Sequence, residues 1–384
     1  MNDNPNSNNN YYPGLQGVIA AETIMSSVDG QRGELIIAGF PVETLAKNAS
    51  YEEVVYLLWH GRLPSSAELA ALRDELAARR ALPTPALDLL RAAARRAVKP
   101  MDALRMAAGT LDLDAAGDLA PALVARFPTI VAAYWRLLNG QEPLQSDPAL
   151  GHAANYLYML SGERPTDIQT RALETYLNTV SDHGLNASTF TARTIISTGS
   201  DLVSAVVGAI GALKGPAHGG APGPALDMVF EIGDVQHARP YILAKLENGE
   251  RLMGFGHRVY KVRDPRAEVL SAAAEKLYTS GSALQGDIDL YNRAKEVERV
   301  AVELLAEIKP GRNLQTNVEF YTALLLHGLG LHNDLFTPTF AVGRVAGWIG
   351  HCLEQQRSGR LIRPGSRYIG TPADAWTPLE ERAL

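Results

Sequence analysis

Apolar residues recur at three- and four-residue intervals through most of the chain, and the pattern predicts helices over 66–79, 85–98, 167–180, 201–213, 267–277 and 292–308. Proline and glycine separate these runs, at Pro83, Pro100, Gly215–Pro216 and Pro310–Gly311, where a helix cannot continue. Two-residue alternation is confined to the N-terminal part, around 17–19 and 34–37, with Asp29-Gly30 as a turn signal between them. Neither an internal repeat nor an alternation of strand with helix is visible. The expected architecture is all-α with a small N-terminal β hairpin. Residues 1–13 begin as MNDNPNSNNN, a polar run that predicts a disordered tail.

Composition sharpens this picture. A chain of 384 residues, 46% hydrophobic and 20% charged, is ordinary for a globular protein and has room for two domains. A net charge of −6 leaves no broad basic face, so nucleic acid and anionic membrane surfaces are not expected partners. Any anion must then be met by a local cluster of cations. The single Cys352 excludes an intramolecular disulfide and a multi-thiolate metal site, and fits a reducing cytoplasm. No apolar run approaches the roughly 20 residues of a membrane span, and the first residues do not form a secretory signal. Phosphate loops of the GxxxxGK[ST] type, HExxH and GxSxG are absent.

Four stretches place polar residues in apolar settings: SDHGLNASTF (181–190), KGPAHGGAPG (214–223), GFGHRVYKVRDPR (254–266) and TNVEFYTALLLHG (316–328). His218 sits on a Gly/Pro-rich turn after an apolar helix. It either lines a site or caps that helix's carbonyls. His257 follows Gly254-Phe255-Gly256, whose backbone N–H groups suit a flat or phosphorylated ligand. Arg258, Lys261, Arg263 and Arg266 crowd behind it, a set that either meets carboxylates and phosphates or forms a solvated face. Pro265 argues against one helix carrying the whole run. Arg344 lies in FAVGRVAGW, apolar on all sides, and needs a carboxylate partner from the protein or from a ligand. Thr316-Asn-Val-Glu319 matches the capping-box pattern, which favours a capping role for Glu319; the alternative is a desolvated general base. His183 is a further histidine among small polar residues. The remaining histidines, at 60, 152, 237, 327, 332 and 351, have no ligand spacing and are read as structural or surface groups.

Taken in order, SDHGLNAS, GPAHGGA, GFGHRVYKVRDPR, NVEFY, FAVGRVAGW and LIRP resemble the citrate synthase family, from about Gly14 to about Gly370. The resemblance implies that His218 enolises acetyl-CoA, that His257 polarises oxaloacetate, and that Glu319 is the catalytic carboxylate. It places oxaloacetate against His183, Arg266, Arg344 and, across a homodimer interface, Arg363. CoA would lie along Met253, Gly254, Phe255 and Gly256, with Arg258 and Lys261 as candidate phosphate contacts. The resemblance further implies a large helical domain (14–220 and 333–384) bearing the dimer interface, and a small helical domain (221–332) that closes over the substrates. Neither a cofactor nor a metal is implied, because the CoA thioester is itself a substrate.

The chain departs from the family pattern twice. Glu319 stands where aspartate is usual, extending the carboxylate by roughly 1.5 Å, a displacement of the size that costs on the order of 10²-fold in rate when uncompensated. Pro222 and Pro224 replace residues near the expected hinge and would stiffen it. Two other readings are a 2-methylcitrate synthase acting on propionyl-CoA and a CoA-ester sensor without turnover.

Overall fold

The computed structural model describes residues 11–113, 118–219, 222–257, 259–372 and 376–382. Sixteen α-helices are found among them. The first eight are α1 (Val42–Asn48), α2 (Tyr51–His60), α3 (Ser66–Ala78), α4 (Thr84–Ala94), α5 (Pro100–Ala108), α6 (Leu119–Leu138), α7 (His152–Ser161) and α8 (Asp167–Val180). There follow α9 (Ala187–Ile196), α10 (Leu202–Leu213), α11 (Pro222–Ile232), α12 (Ala238–Glu247), α13 (Pro265–Thr279), α14 (Ile288–Ile308), α15 (Val318–Gly328) and α16 (Phe336–Ser358). Local chemistry sets many of the boundaries. Ser50, Ser65 and Thr166 close reciprocal capping boxes with Glu53, Glu68 and Gln169 at the starts of α2, α3 and α8. Gly61, Gly162 and Gly359 end α2, α7 and α16 in the left-handed conformation. Pro222 and Pro224 fall in the first turn of α11, where backbone N–H groups have no intrahelical partner, so the helix absorbs both prolines.

The β element is a three-stranded antiparallel meander of β1 (Ser26–Asp29), β2 (Glu34–Ile37) and β3 (Phe40–Pro41). Val28 faces Leu35 and Ile37 faces Phe40. The expected turn at Asp29-Gly30 and the strand at 34–37 are present. The first strand lies at 26–29 rather than 17–19, because SSVD is recruited by its polar groups: Ser26 Oγ donates to Asp182 and accepts from Gly184 N at 2.7 Å.

Two helices organise the core. α6 is buried along most of its length, and α16 packs against α2, α5, α6, α8, α9 and α10. A second group gathers on α13, which contacts α14 and α15 on one side and α1 and α8 on the other. The α8–α16 contact is close because α16 presents glycines. A Cβ at Gly343 would stand 2.7 Å from Val180 Cγ2, and one at Gly347 would stand 2.2 Å from the carbonyl oxygen of Ser181. Since the obstacle at Gly347 is backbone, a side chain there must displace the 181–184 loop. Gly347→Ala is expected to destabilise the fold by about 1–3 kcal/mol, the usual range for overpacking, and thermal denaturation checks it; an unchanged melting temperature would contradict the contact.

Candidate active site

Residues 315–317 clasp the loop of Gly254-Phe255-Gly256. Phe255 and Thr316 form an antiparallel bridge, Gly256 N donates to Gln315 O at 2.7 Å, and Asn317 N donates to Gly254 O at 3.0 Å. Asn317 Nδ2 adds a bond to Gly256 O at 2.9 Å. Gly254 takes a φ of 87°, and a Cβ there would lie 3.0 Å from Phe320, so glycine is required on both counts. The Gly256 N–H, expected to face a ligand, is therefore committed to the protein.

This pairing moves the start of α15. Its N-cap is Asn317, whose side chain accepts from Glu319 N at 3.0 Å, while Thr316 Oγ1 is buried without a partner. The expected capping box is not formed, and Glu319 occupies the second helical position with its carboxylate released from that role. Burial lifts its pKa to about 7; Arg266 works against the rise and Asp264 adds to it.

Asp264 ties this unit to the next. It caps α13, accepts Arg266 N and Nε at 3.0 Å each and Arg266 NH2 at 2.8 Å, and also accepts Val318 N at 3.3 Å. Arg266 thus has a bidentate protein partner, and both side chains are buried. Arg263 pairs with Glu298 at 3.0 Å and Glu268 at 3.2 Å, so two of the four clustered cations are held by protein carboxylates. Lys261 is exposed, with its N–H on Gly30 O at 2.8 Å. Arg258 lies outside the described residues. Met253 and Phe255 pack, partly buried, against the core.

His257 Nδ1 accepts from Val259 N at 3.0 Å and Tyr260 N at 3.1 Å, which assigns the ring proton to Nε2. That nitrogen faces Arg266 NH2 at 3.4 Å. Two donors so placed call for a shared acceptor, such as a carbonyl or carboxylate oxygen. Burial first, then Arg266, pushes His257 down to about 4, so the ring is neutral at pH 7. His183 lies edge-on to His257, with ring centres 5.9 Å apart, and its Nε2 is 3.1 Å from the buried Tyr260 hydroxyl. It too is held neutral, by burial and by the charges of Arg266 and Arg344.

Arg344 is fully buried, donates its Nε–H to Val180 O and stacks on Phe340 at 4.7 Å. Among the described residues no carboxylate lies within ion-pairing distance of it. Burial lowers its pKa to about 10, which leaves it cationic at neutral pH. His218 does not cap its helix: its Nε2 is 2.9 Å from Ser188 Oγ. Ser188 in turn accepts from Trp348 Nε1 at 3.1 Å and lies 2.8 Å from Asn186 Oδ1. Burial and Arg344 bring His218 to about 4.

Two guanidinium charges link these groups: Arg344 acts on His218 and His183, and Arg266 on His183, His257 and Glu319. Arg363 is not brought to them in this chain. It is exposed, on a segment held by Ile362 N on Ser197 Oγ at 3.0 Å and by Gln355 Nε2 on Arg360 O at 2.8 Å. Sequence reasoning passed over Tyr260, Asp264, Ser188 and Asn317, although all lie inside or beside the quoted motifs. It also set aside His351, which joins a buried network: Arg193 donates to its Nδ1 at 3.1 Å, and its Nε2 donates to Asp182 Oδ1 at 3.1 Å, directly behind His183. A groove of about 460 Å³ lies between α1, α8 and α13, and none of the site groups lines it. Among the described residues no group of three or more His, Cys, Asp or Glu is placed to hold a metal, and no helix is long and apolar enough to cross a membrane.

The model of the citrate synthase family, described as its C-terminal domain, matches residues 14–365. The chain is 43% identical to a citrate synthase of Haloferax volcanii over 96% of its own length and 98% of the relative's. It is 36% identical to a 2-methylcitrate synthase of Shewanella oneidensis over 96% and 97% of the two chains. A crystal structure of citrate synthase from Pyrobaculum aerophilum superposes with a TM-score of 0.85 at 35% identity, covering 96% of this chain and 95% of that one.

Proposed function

The chain belongs to the citrate synthase family, and from that premise we propose that it condenses acetyl-CoA with oxaloacetate and water to give citrate and free CoA. The observation that carries the reading is the set of neutral imidazoles and one weakly acidic carboxyl around two buried guanidiniums. Glu319 removes a methyl proton from the thioester. His218 stabilises the developing enolate by donating to the thioester oxygen. Ser188 occupies His218 Nε2 and leaves Nδ1 as the edge for substrate; in the proposed mechanism the Ser188 proton turns from Asn186 Oδ1 to Nε2, so that Nδ1 carries the proton donated to the thioester. The enol attacks the ketone carbon of oxaloacetate while His257 Nε2–H donates to the ketone oxygen, so the new carbon–carbon bond forms as the carbonyl becomes an alkoxide and then a hydroxyl. Water hydrolyses the resulting citryl thioester.

His183, Arg266 and Arg344 hold the dicarboxylate. Met253, Gly254, Phe255 and Gly256, with Arg258 and Lys261, form the CoA side, and no metal or cofactor takes part. Residues 14–220 with 333–384 and residues 221–332 act as two bodies that close and exclude water. The enzyme works as a homodimer, in which Arg363 enters the partner's site. Large apolar side chains exposed on both terminal segments, such as Ile19 at 88% and Ile369 at 92%, support a covering second copy. Buried Cys352 agrees with a cytoplasmic setting.

Thiol release tests the reading. Free CoA is expected from acetyl-CoA only when oxaloacetate is present, with a higher kcat/KM than from propionyl-CoA. Preference for propionyl-CoA would assign a 2-methylcitrate synthase instead. CoA binding with no thiol from either would leave a sensor.

A further inference from the structure

Tyrosines line the contact between α8 and its neighbours, and most have their hydroxyls paired. Tyr51 donates to Val342 O at 2.9 Å, and Tyr156 meets Thr339 Oγ1 at 2.9 Å. Tyr176, in the middle of α8, is the exception: it is fully buried and its hydroxyl has no partner. Buried hydroxyls are rarely left so, and each exception calls for a reason.

Its position supplies one. Tyr176 lies one turn before Val180 on the same face of α8. The Val180 carbonyl takes the Arg344 Nε–H, and Gly343 brings α16 against this face. The charges of Arg344, Arg266 and Glu319 all act on the phenol, which burial keeps protonated. Asp182 favours the Arg344 charge and Arg266 opposes it, but among the described residues no carboxylate lies within ion-pairing distance of Arg344. A neutral O–H donor and the buried Arg344 cation share one unmet requirement, an anion that accepts from both, and Arg266, although paired with Asp264, adds its charge to theirs. We propose that Tyr176 is a further dicarboxylate-binding residue, whose hydroxyl donates to the oxaloacetate carboxylate received by Arg344 and Arg266. The assignment rests on the function proposed above and adds a donor on α8 to the side chains already placed there. The hydroxyl is closed off from solvent, and a ligand bound among these charges is the partner assigned to it.

Tyr176→Phe removes only the hydroxyl. Titration calorimetry with oxaloacetate alone is expected to show a dissociation constant raised roughly ten- to hundredfold, the range for one hydrogen bond to a charged group. The variant without oxaloacetate should melt at the same temperature as wild type or higher, since a partnerless polar group has been replaced by an apolar one. The added stability conferred by saturating oxaloacetate should shrink. Equal affinity in wild type and variant would overturn the assignment while leaving the proposed reaction intact, and a lowered melting temperature with unchanged affinity would make Tyr176 a structural residue. Failure of the wild type itself to bind oxaloacetate would overturn the reaction and this assignment together.

Discussion

Glu319→Gln is expected to lower thiol release from acetyl-CoA by about 10²–10⁴-fold, the range for loss of a general base, while leaving the protein folded. Glutamine keeps the shape and the helix position but cannot take a proton. The buried carboxyl of the wild type titrates at about 7. Below that pH it is protonated and inactive, so kcat/KM should fall tenfold per pH unit as pH drops beneath about 7 and level off above it. His218 and His257 are neutral above about 4, so neither adds a second inflection between pH 5 and 8. Stability follows the same group with its own sign. A carboxyl whose pKa is raised on folding binds its proton more tightly in the native state, so it loses stability as pH climbs from its unfolded value to about 7. Glu319→Gln lacks this loss, and its melting temperature should exceed that of wild type by more at pH 8 than at pH 5. Undiminished turnover in Glu319→Gln would remove the carboxylate from the chemistry. Glu319→Asp tests reach: a faster variant would show that the longer side chain limits the native protein.

Asp264→Ala is expected to destabilise the protein by about 3–5 kcal/mol, because it strands the Arg266 guanidinium in the interior. The aspartate is 1% exposed and the arginine 4%, and the pair is joined through both carboxylate oxygens. The same change removes the α13 N-cap and the bond to Val318 N, so activity should fall even under conditions where the variant stays folded. Asp264→Asn retains an acceptor for the cap and should fall between wild type and alanine in denaturant unfolding. A loss below about 1 kcal/mol in Asp264→Ala would mean that the pair is worth no more than a surface ion pair.

Much of this was legible in the residues. Helical periodicity located every helix it named, because the signal acts over a few neighbouring residues. The motifs carried the family. What local pattern misread was decided at long range. The box at Thr316 looked complete, but pairing with Gly254–Gly256, some sixty residues earlier, took its backbone and passed the cap to Asn317. Strand β1 carries no alternation worth reading, and a buried aspartate at position 182 holds it in place. His351 had no ligand spacing, since its partners Arg193 and Asp182 come from other parts of the chain. Arg263 looked like a free cation for the same reason, since Glu298 is distant in sequence; the partner of Arg266 is only two residues away, but spacing alone does not show that Asp264 turns its carboxylate onto it.

The bridge between Phe255 and Thr316 joins two parts of the proposed reaction. It fastens the segment bearing His257, proposed to activate the electrophile, to the segment bearing Glu319, proposed to make the nucleophile. His218 hangs from different anchors, the hydroxyl of Ser188 and the Thr337 contact at Gly219. In the proposed mechanism deprotonation needs His218 and Glu319 together, and the ketone substrate is held from both anchorages, by His257 and Arg266 on one and by His183 and Arg344 on the other. Any motion that separates the two anchorages would then silence proton abstraction and would also part Arg344 and His183 from Arg266 and His257, so the grip on the ketone and the chemistry would be assembled in the same movement.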